Sequence, residues 1–104
     1  MKIYLDDERK TPSGWTRVYW PDEVIEFLKK GNVDVISLDH DLGDDSRGTG
    51  YDVLLWIEEK VSNTKYIPPE IIIHTANISA RRKMEAAVIQ IQEILKRRKN
   101  GHSN

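Results

Sequence analysis

Three short apolar runs, Ile3-Tyr4-Leu5, Val35-Ile36-Ser37-Leu38 and Ile71-Ile72-Ile73, each give way at once to polar, ionisable residues. None alternates apolar with polar, so each reads as a strand covered on both faces, as in a parallel α/β sheet. A fourth run, residues 15–20 (WTRVYW), alternates more and predicts an edge strand. Residues 22–30, 50–62 and 78–98 carry apolar side chains at helical spacing. Expected helix starts are Asp22 for the first, Thr49 or Asp52 for the second, and Asn77 or Ser79 for the third. The order is strand, loop, strand, helix, strand, helix, strand, helix. Such alternation calls for parallel pairing with right-handed crossovers.

In an open parallel sheet, ligands sit beyond the carboxyl ends of the strands. The first run releases Asp6, Asp7 and Glu8, the second Asp39, His40 and Asp41, the third His74, Thr75 and Asn77. All of this chemistry is therefore expected at one rim. Carboxylates so close repel one another unless one takes a proton or a cation neutralises them. Oxygen ligands from Asp6, Asp7 and Asp39 suit Mg²⁺ or Mn²⁺. His40 and His74 suit proton transfer or a softer ion. Plainer roles compete: Asp44 and Asp45 in a solvated turn, Asp7 as a cap, Arg81 and Arg82 as a solvated helix face, and the three tryptophans as packing. Gly48-Thr49-Gly50 before the second helix would let backbone amides approach an anion; the simpler reading is a flexible loop with a helix cap.

Length and charge narrow the class. The chain has 104 residues, which suits one domain, expected over 1–98, with 99–104 a flexible tail. It has no cysteine, so thiolate chemistry is out. No apolar run approaches the roughly 18 residues that a membrane helix needs, and the start does not resemble a secretion signal. The expectation is a soluble, cytoplasmic protein. The net charge of -1 hides a split: residues from Ile78 onward hold seven Lys/Arg and two Glu, while residues 1–77 carry a net -6. No duplex nucleic-acid partner is expected from that balance; the split places an acidic locus near a basic helix. The edge run around Val18 and the apolar last helix would support a homodimer.

The pattern resembles a receiver domain of the response-regulator type. There an acidic pair follows the first strand (here Asp6-Asp7), an aspartate ends the third (here Asp39), and a Thr or Ser ends the fourth (here Thr75). The resemblance implies a flavodoxin-like, three-layer α/β fold, truncated to about four strands, with Mg²⁺ held by the three acids. A fifth strand and its lysine are missing, and the first helix is reduced to the loop around KTPSGW. A closer resemblance is to cyclic-phosphate-processing receiver domains. It is carried by LDDER, TP-GW, SLDHDLG, GTGYD, HTAN and the RRKMEAA helix, over roughly residues 3–90.

That resemblance implies a metal-dependent phosphoesterase whose ligand is a small phosphorylated molecule, a cyclic phosphate on a nucleotide or RNA end. Asp6, Asp7 and Asp39 are then the metal residues. His40 and His74 share acid and base work, and Asp41 completes the shell or orients water. Thr75, Asn77 and Arg81 meet the phosphate. The alternative is a non-catalytic module: a signalling domain phosphorylated on Asp39, or a sponge that holds a cyclic nucleotide intact. A third reading, an adaptor using its basic last helix, predicts no metal dependence.

Overall fold

The computed structural model describes residues 1–100. Its elements are β1 (Lys2–Leu5), β2 (Thr16–Val18), α1 (Pro21–Lys30), β3 (Val35–Leu38), a 3₁₀ turn (Asp45–Arg47), α2 (Gly50–Asn63), β4 (Glu70–Ile73) and α3 (Ile78–Asn100). The four strands form one parallel sheet in the order β2-β1-β3-β4. This is the four-stranded, truncated receiver-like architecture expected from the sequence.

Chain direction decides where the helices lie. The connections β2→β3 and β3→β4 both advance the same way across the sheet, so right-handed crossovers put α1 and α2 on one face. α3 joins them there: α2 packs against both α1 and α3. Ile3, Leu5, Ile36 and Leu38 point to that face and are fully buried with Val24, Val53, Leu54, Ile57, Met84 and Ile91. The β1→β2 connection runs the other way and belongs on the opposite face. It contains no helix, so the third layer is only the loop around KTPSGW. Trp15 from this loop packs edge-on against Tyr4, with ring centroids 6.1 Å apart.

The thin third layer overturns one expectation. β4, at the edge of the sheet, is not covered on both faces: Ile72 on the loop-covered face stays 38% exposed. The run of three isoleucines signals a strand but not burial on both sides.

Helix ends follow local chemistry. α1 starts at Pro21, whose missing N–H costs nothing at the first helical position. Trp20, not Asp22, precedes it, and the Glu23 carboxylate accepts from the Tyr19 and Trp20 N–H groups. Trp20 has no side-chain acceptor, so only that half of a capping box forms. Thr49 and Asp52 form the full reciprocal box at α2: the Thr49 N–H donates to Asp52 Oδ2 at 2.7 Å, and the Tyr51 N–H donates to Thr49 Oγ1 at 3.2 Å. Asn77 caps α3, its Oδ1 accepting from the Ala80 N–H at 3.0 Å. α3 runs through Asn100, into the stretch expected as tail, because no helix breaker precedes Gly101. The rest of that expected tail, 101–104, lies outside the described residues. Among the described residues no helix is long and apolar enough to cross a membrane.

Candidate functional site

The site is one row of the sheet, continued past the strands. Leu5, Leu38 and Ile73 are paired neighbours. Beyond them the Asp39 N–H donates to the Leu5 carbonyl and the His74 N–H to the Leu38 carbonyl, each at 3.0 Å; the Asp6 N–H donates to the Val18 carbonyl at 3.2 Å. Asp6, Asp39 and His74 are thus the next row. Parallel neighbours sit about 4.8 Å apart. One ligand atom from each of these three side chains lies within 4.8 Å of the others. The donor set is two carboxylates and an imidazole, which fits a divalent cation.

Asp6 is buried and fully engaged. Its Oδ1 accepts from the Glu8 and Arg9 N–H groups, both at 2.8 Å, and so closes the turn after β1. His74 Nε2 meets its Oδ2 at 3.0 Å. On the other side of the ring, His74 Nδ1 lies 2.7 Å from Ser37 Oγ. The ring lies flat on Tyr4, centroids 4.5 Å apart and planes 1° from parallel. Burial pushes the Asp6 pKa up, but the Arg9 and Glu8 N–H groups and then His74 outweigh it, leaving the pKa below the usual carboxylate value. Burial pushes the His74 pKa down from 6.5, against the hydrogen bond and charge of Asp6 and the charge of Asp39. The dry setting of the ring wins, so His74 is neutral at pH 7.

Both shifts have the same sign for stability. The unfolded chain binds more protons than the native one as pH falls through 6.5 for His74, and again below 3.8 for Asp6. The metal-free protein in EDTA is therefore expected to lose stability on acidification in two stages. The His74 contribution is complete above 6.5 and lost as pH falls towards the native His74 value; the Asp6 contribution, complete above 3.8, is lost as pH falls through the native Asp6 value. Urea midpoints for wild type and His74→Gln across pH 5–8 check the first stage: the variant should flatten it, and an unchanged slope would remove His74 as its source.

A cleft of about 310 Å³ opens beside this row, lined by Asp6, Asp7, Asp39, Asp41, Arg9 and Thr75 among others. Asp7 therefore shares the cleft but not the close trio, in which His74 takes its expected place. His40 does not line the cleft; its ring is 17% exposed, with Nδ1 2.8 Å from Asp41 Oδ1. Asn77 is occupied in capping α3. Arg81 turns its Nε and Nη2 to the Thr75 carbonyl, at 3.3 and 3.0 Å, and not to the cleft. The cation that does line it is Arg9, whose Nη1 donates to the His74 carbonyl at 2.6 Å. Sequence reading passed over Arg9, although it sits two positions beyond the acidic pair.

The loop after β3 is built for close packing. A Cβ on Gly50 would lie 1.9 Å from the Asp39 carbonyl oxygen. Gly48, at φ +109°, would clash with Pro21. These glycines seat α2 against the end of β3, which replaces the anion-cradle reading of Gly48-Thr49-Gly50. Asp44 and Asp45 lie where a solvated turn was expected, with the Asp44 carboxylate accepting from the Ser46 N–H and hydroxyl.

The strand order, the acidic pair after β1 and the aspartate after β3 define a receiver-type domain, with four strands among the described residues. The cyclic-phosphate processing receiver domain family matches residues 1–90, and the chain belongs to that family. No curated protein and no solved structure gives a significant match.

Proposed function

We propose that this domain is a metal-dependent phosphoesterase that opens a cyclic phosphate on a nucleotide or RNA end. The observation that carries the reading is the Asp6–Asp39–His74 row at the mouth of an acidic cleft, in a chain of a cyclic-phosphate processing family. Asp6 and Asp39 are the carboxylates best placed to hold a divalent ion, with Asp7 facing the same cleft. Such an ion, when bound, supplies charge neutralisation and polarises a phosphoryl oxygen. Without it the lining carboxylates would repel the substrate.

The protein's own groups handle the proton and the remaining charge. A carboxylate only accepts hydrogen bonds, so Asp41 holds the proton of His40 on Nδ1 and leaves the Nε2 lone pair free. That tautomer suits a general base that takes a proton from the attacking water. The new bond joins the water oxygen to phosphorus. The ring P–O bond breaks, and its oxygen leaves with a proton returned by the imidazolium or solvent. Arg9 faces the phosphoryl group, the role assigned to Arg81 from sequence.

The test is a panel of 2′,3′-cyclic and 3′,5′-cyclic nucleotides and cyclic oligonucleotides, incubated with Mg²⁺, Mn²⁺ or EDTA, with products resolved by chromatography. Opening that needs metal and disappears in Asp39→Ala is the expected result. A ligand retained but recovered intact would make the domain a sponge. A mass gain from acetyl phosphate, lost in Asp39→Asn, would make it a signalling receiver.

A further inference from the structure

Within the proposed metal site, we propose that His74 is a ligand through Nε2, so that the site takes a first-row transition ion in preference to Mg²⁺. Ser37 is the positioning residue that makes this ligation possible. The inference rests on the reading of the site as metal-holding, not on any turnover.

His74 is badly placed for proton transfer to a substrate. Both ring nitrogens are engaged inside the protein, Nδ1 with Ser37 and Nε2 with Asp6, whereas only Nδ1 of His40 has a partner. It is well placed as a fixed donor. Tyr4 supports the ring face, the Leu38 carbonyl holds the backbone N–H, and Arg9 holds the backbone carbonyl. Nε2 is the nitrogen that meets Asp6 Oδ2, and a ligand atom of Asp39 lies within 4.8 Å of the other two residues' ligand atoms. An imidazole in the set favours ions that accept nitrogen, whereas Mg²⁺ prefers oxygen alone.

The hydrogen bonds fix what must happen on binding. Asp6 accepts only, so without metal the proton sits on Nε2, and Nδ1 accepts from the Ser37 hydroxyl. For Nε2 to offer its lone pair, that N–H bond must break and a new one form on Nδ1, with no change in net charge. Ser37 Oγ must then turn from donor to acceptor. A hydroxyl does both with the same heavy atom, whereas an aliphatic side chain does neither. Ser37 is 4% exposed, so water does not readily stand in for it. Groups that orient a metal-bound imidazole in this way are typically worth 10–100-fold in metal affinity.

The experiment is a long-range ¹H–¹⁵N imidazole spectrum of uniformly ¹⁵N-labelled protein at pH 7.5, first in EDTA, then after exchange into Zn²⁺ or Mg²⁺. His74→Gln assigns the His74 signals. The expected result is Nε2–H without metal, then Nδ1–H with a metal-shifted Nε2 at one equivalent of Zn²⁺, and no such change with Mg²⁺. Ser37→Val should lower Zn²⁺ affinity by roughly 10–100-fold, measured by calorimetry, with Mg²⁺ affinity unmoved. Ser37→Thr, which restores the hydroxyl, should recover most of the loss. Persistence of Nε2–H at saturating Zn²⁺, or absence of Zn²⁺ binding, overturns the proposal. If the variants do not fold, the wild-type spectrum decides. Metal-dependent opening of a cyclic phosphate with Nε2–H retained would defeat this inference alone; a clean tautomer change without turnover would defeat only the hydrolase reading.

Discussion

His40→Ala is expected to slow cyclic-phosphate opening by on the order of 10²–10⁴-fold, the usual worth of a positioned acid or base. The reason is the pairing with Asp41: the carboxylate fixes the proton on Nδ1 across 2.8 Å and leaves Nε2 as the free acceptor. Removing the imidazole removes a proton acceptor but no carboxylate of the row, since His40 belongs to neither the trio nor the cleft lining. The loss should therefore appear in kcat, while metal affinity stays near wild type. Steady-state rates on the substrate that the panel identifies, read beside a thermal melt, separate lost chemistry from lost fold. A loss below about tenfold would take His40 out of the mechanism.

Gly50→Ala should unfold or gravely weaken the domain, by about 3 kcal/mol or more. Helix propensity alone predicts the opposite sign, because alanine in a helix is favoured over glycine by roughly 0.8–1 kcal/mol. Packing decides. The added Cβ would sit 1.9 Å from the Asp39 carbonyl oxygen and 3.0 Å from the Met84 methyl. The methyl can swing away, but the carbonyl is backbone. α2 cannot retreat easily, since Val53, Leu54 and Ile57 are fully buried and Thr49 and Asp52 pin its start. At about 4–8 °C per kcal/mol for a domain of this size, the melting temperature should fall by roughly 12 °C or more. A shift of less than about 1 kcal/mol in urea would mean that α2 slides freely on the end of β3.

Much of the architecture was legible because it repeats at the scale of a few residues. Each apolar run is one strand, each amphipathic stretch one helix, and the Thr49–Asp52 box marks a helix start by local chemistry. Trp20 misled because a proline at the first helical position and Glu23 do the work that a capping Asp22 would have done. Ile72 misled because an apolar run reports strand propensity, whereas coverage depends on what the β1→β2 connection brings to the other face.

The sequence by itself determined that acids and histidines gather at one rim. Parallel strands in register carry whatever follows each run into a common row, so Asp6, Asp39 and His74 had to be neighbours once the strands paired. Only the tertiary structure decided which partner each side chain takes. His74 finds Ser37 and Asp6, 37 and 68 positions away. Arg9 reaches the cleft while Arg81 turns to the Thr75 carbonyl, and His40 is set apart with Asp41. Such choices depend on side-chain directions and on distances between remote segments, and those are fixed only when the core packs.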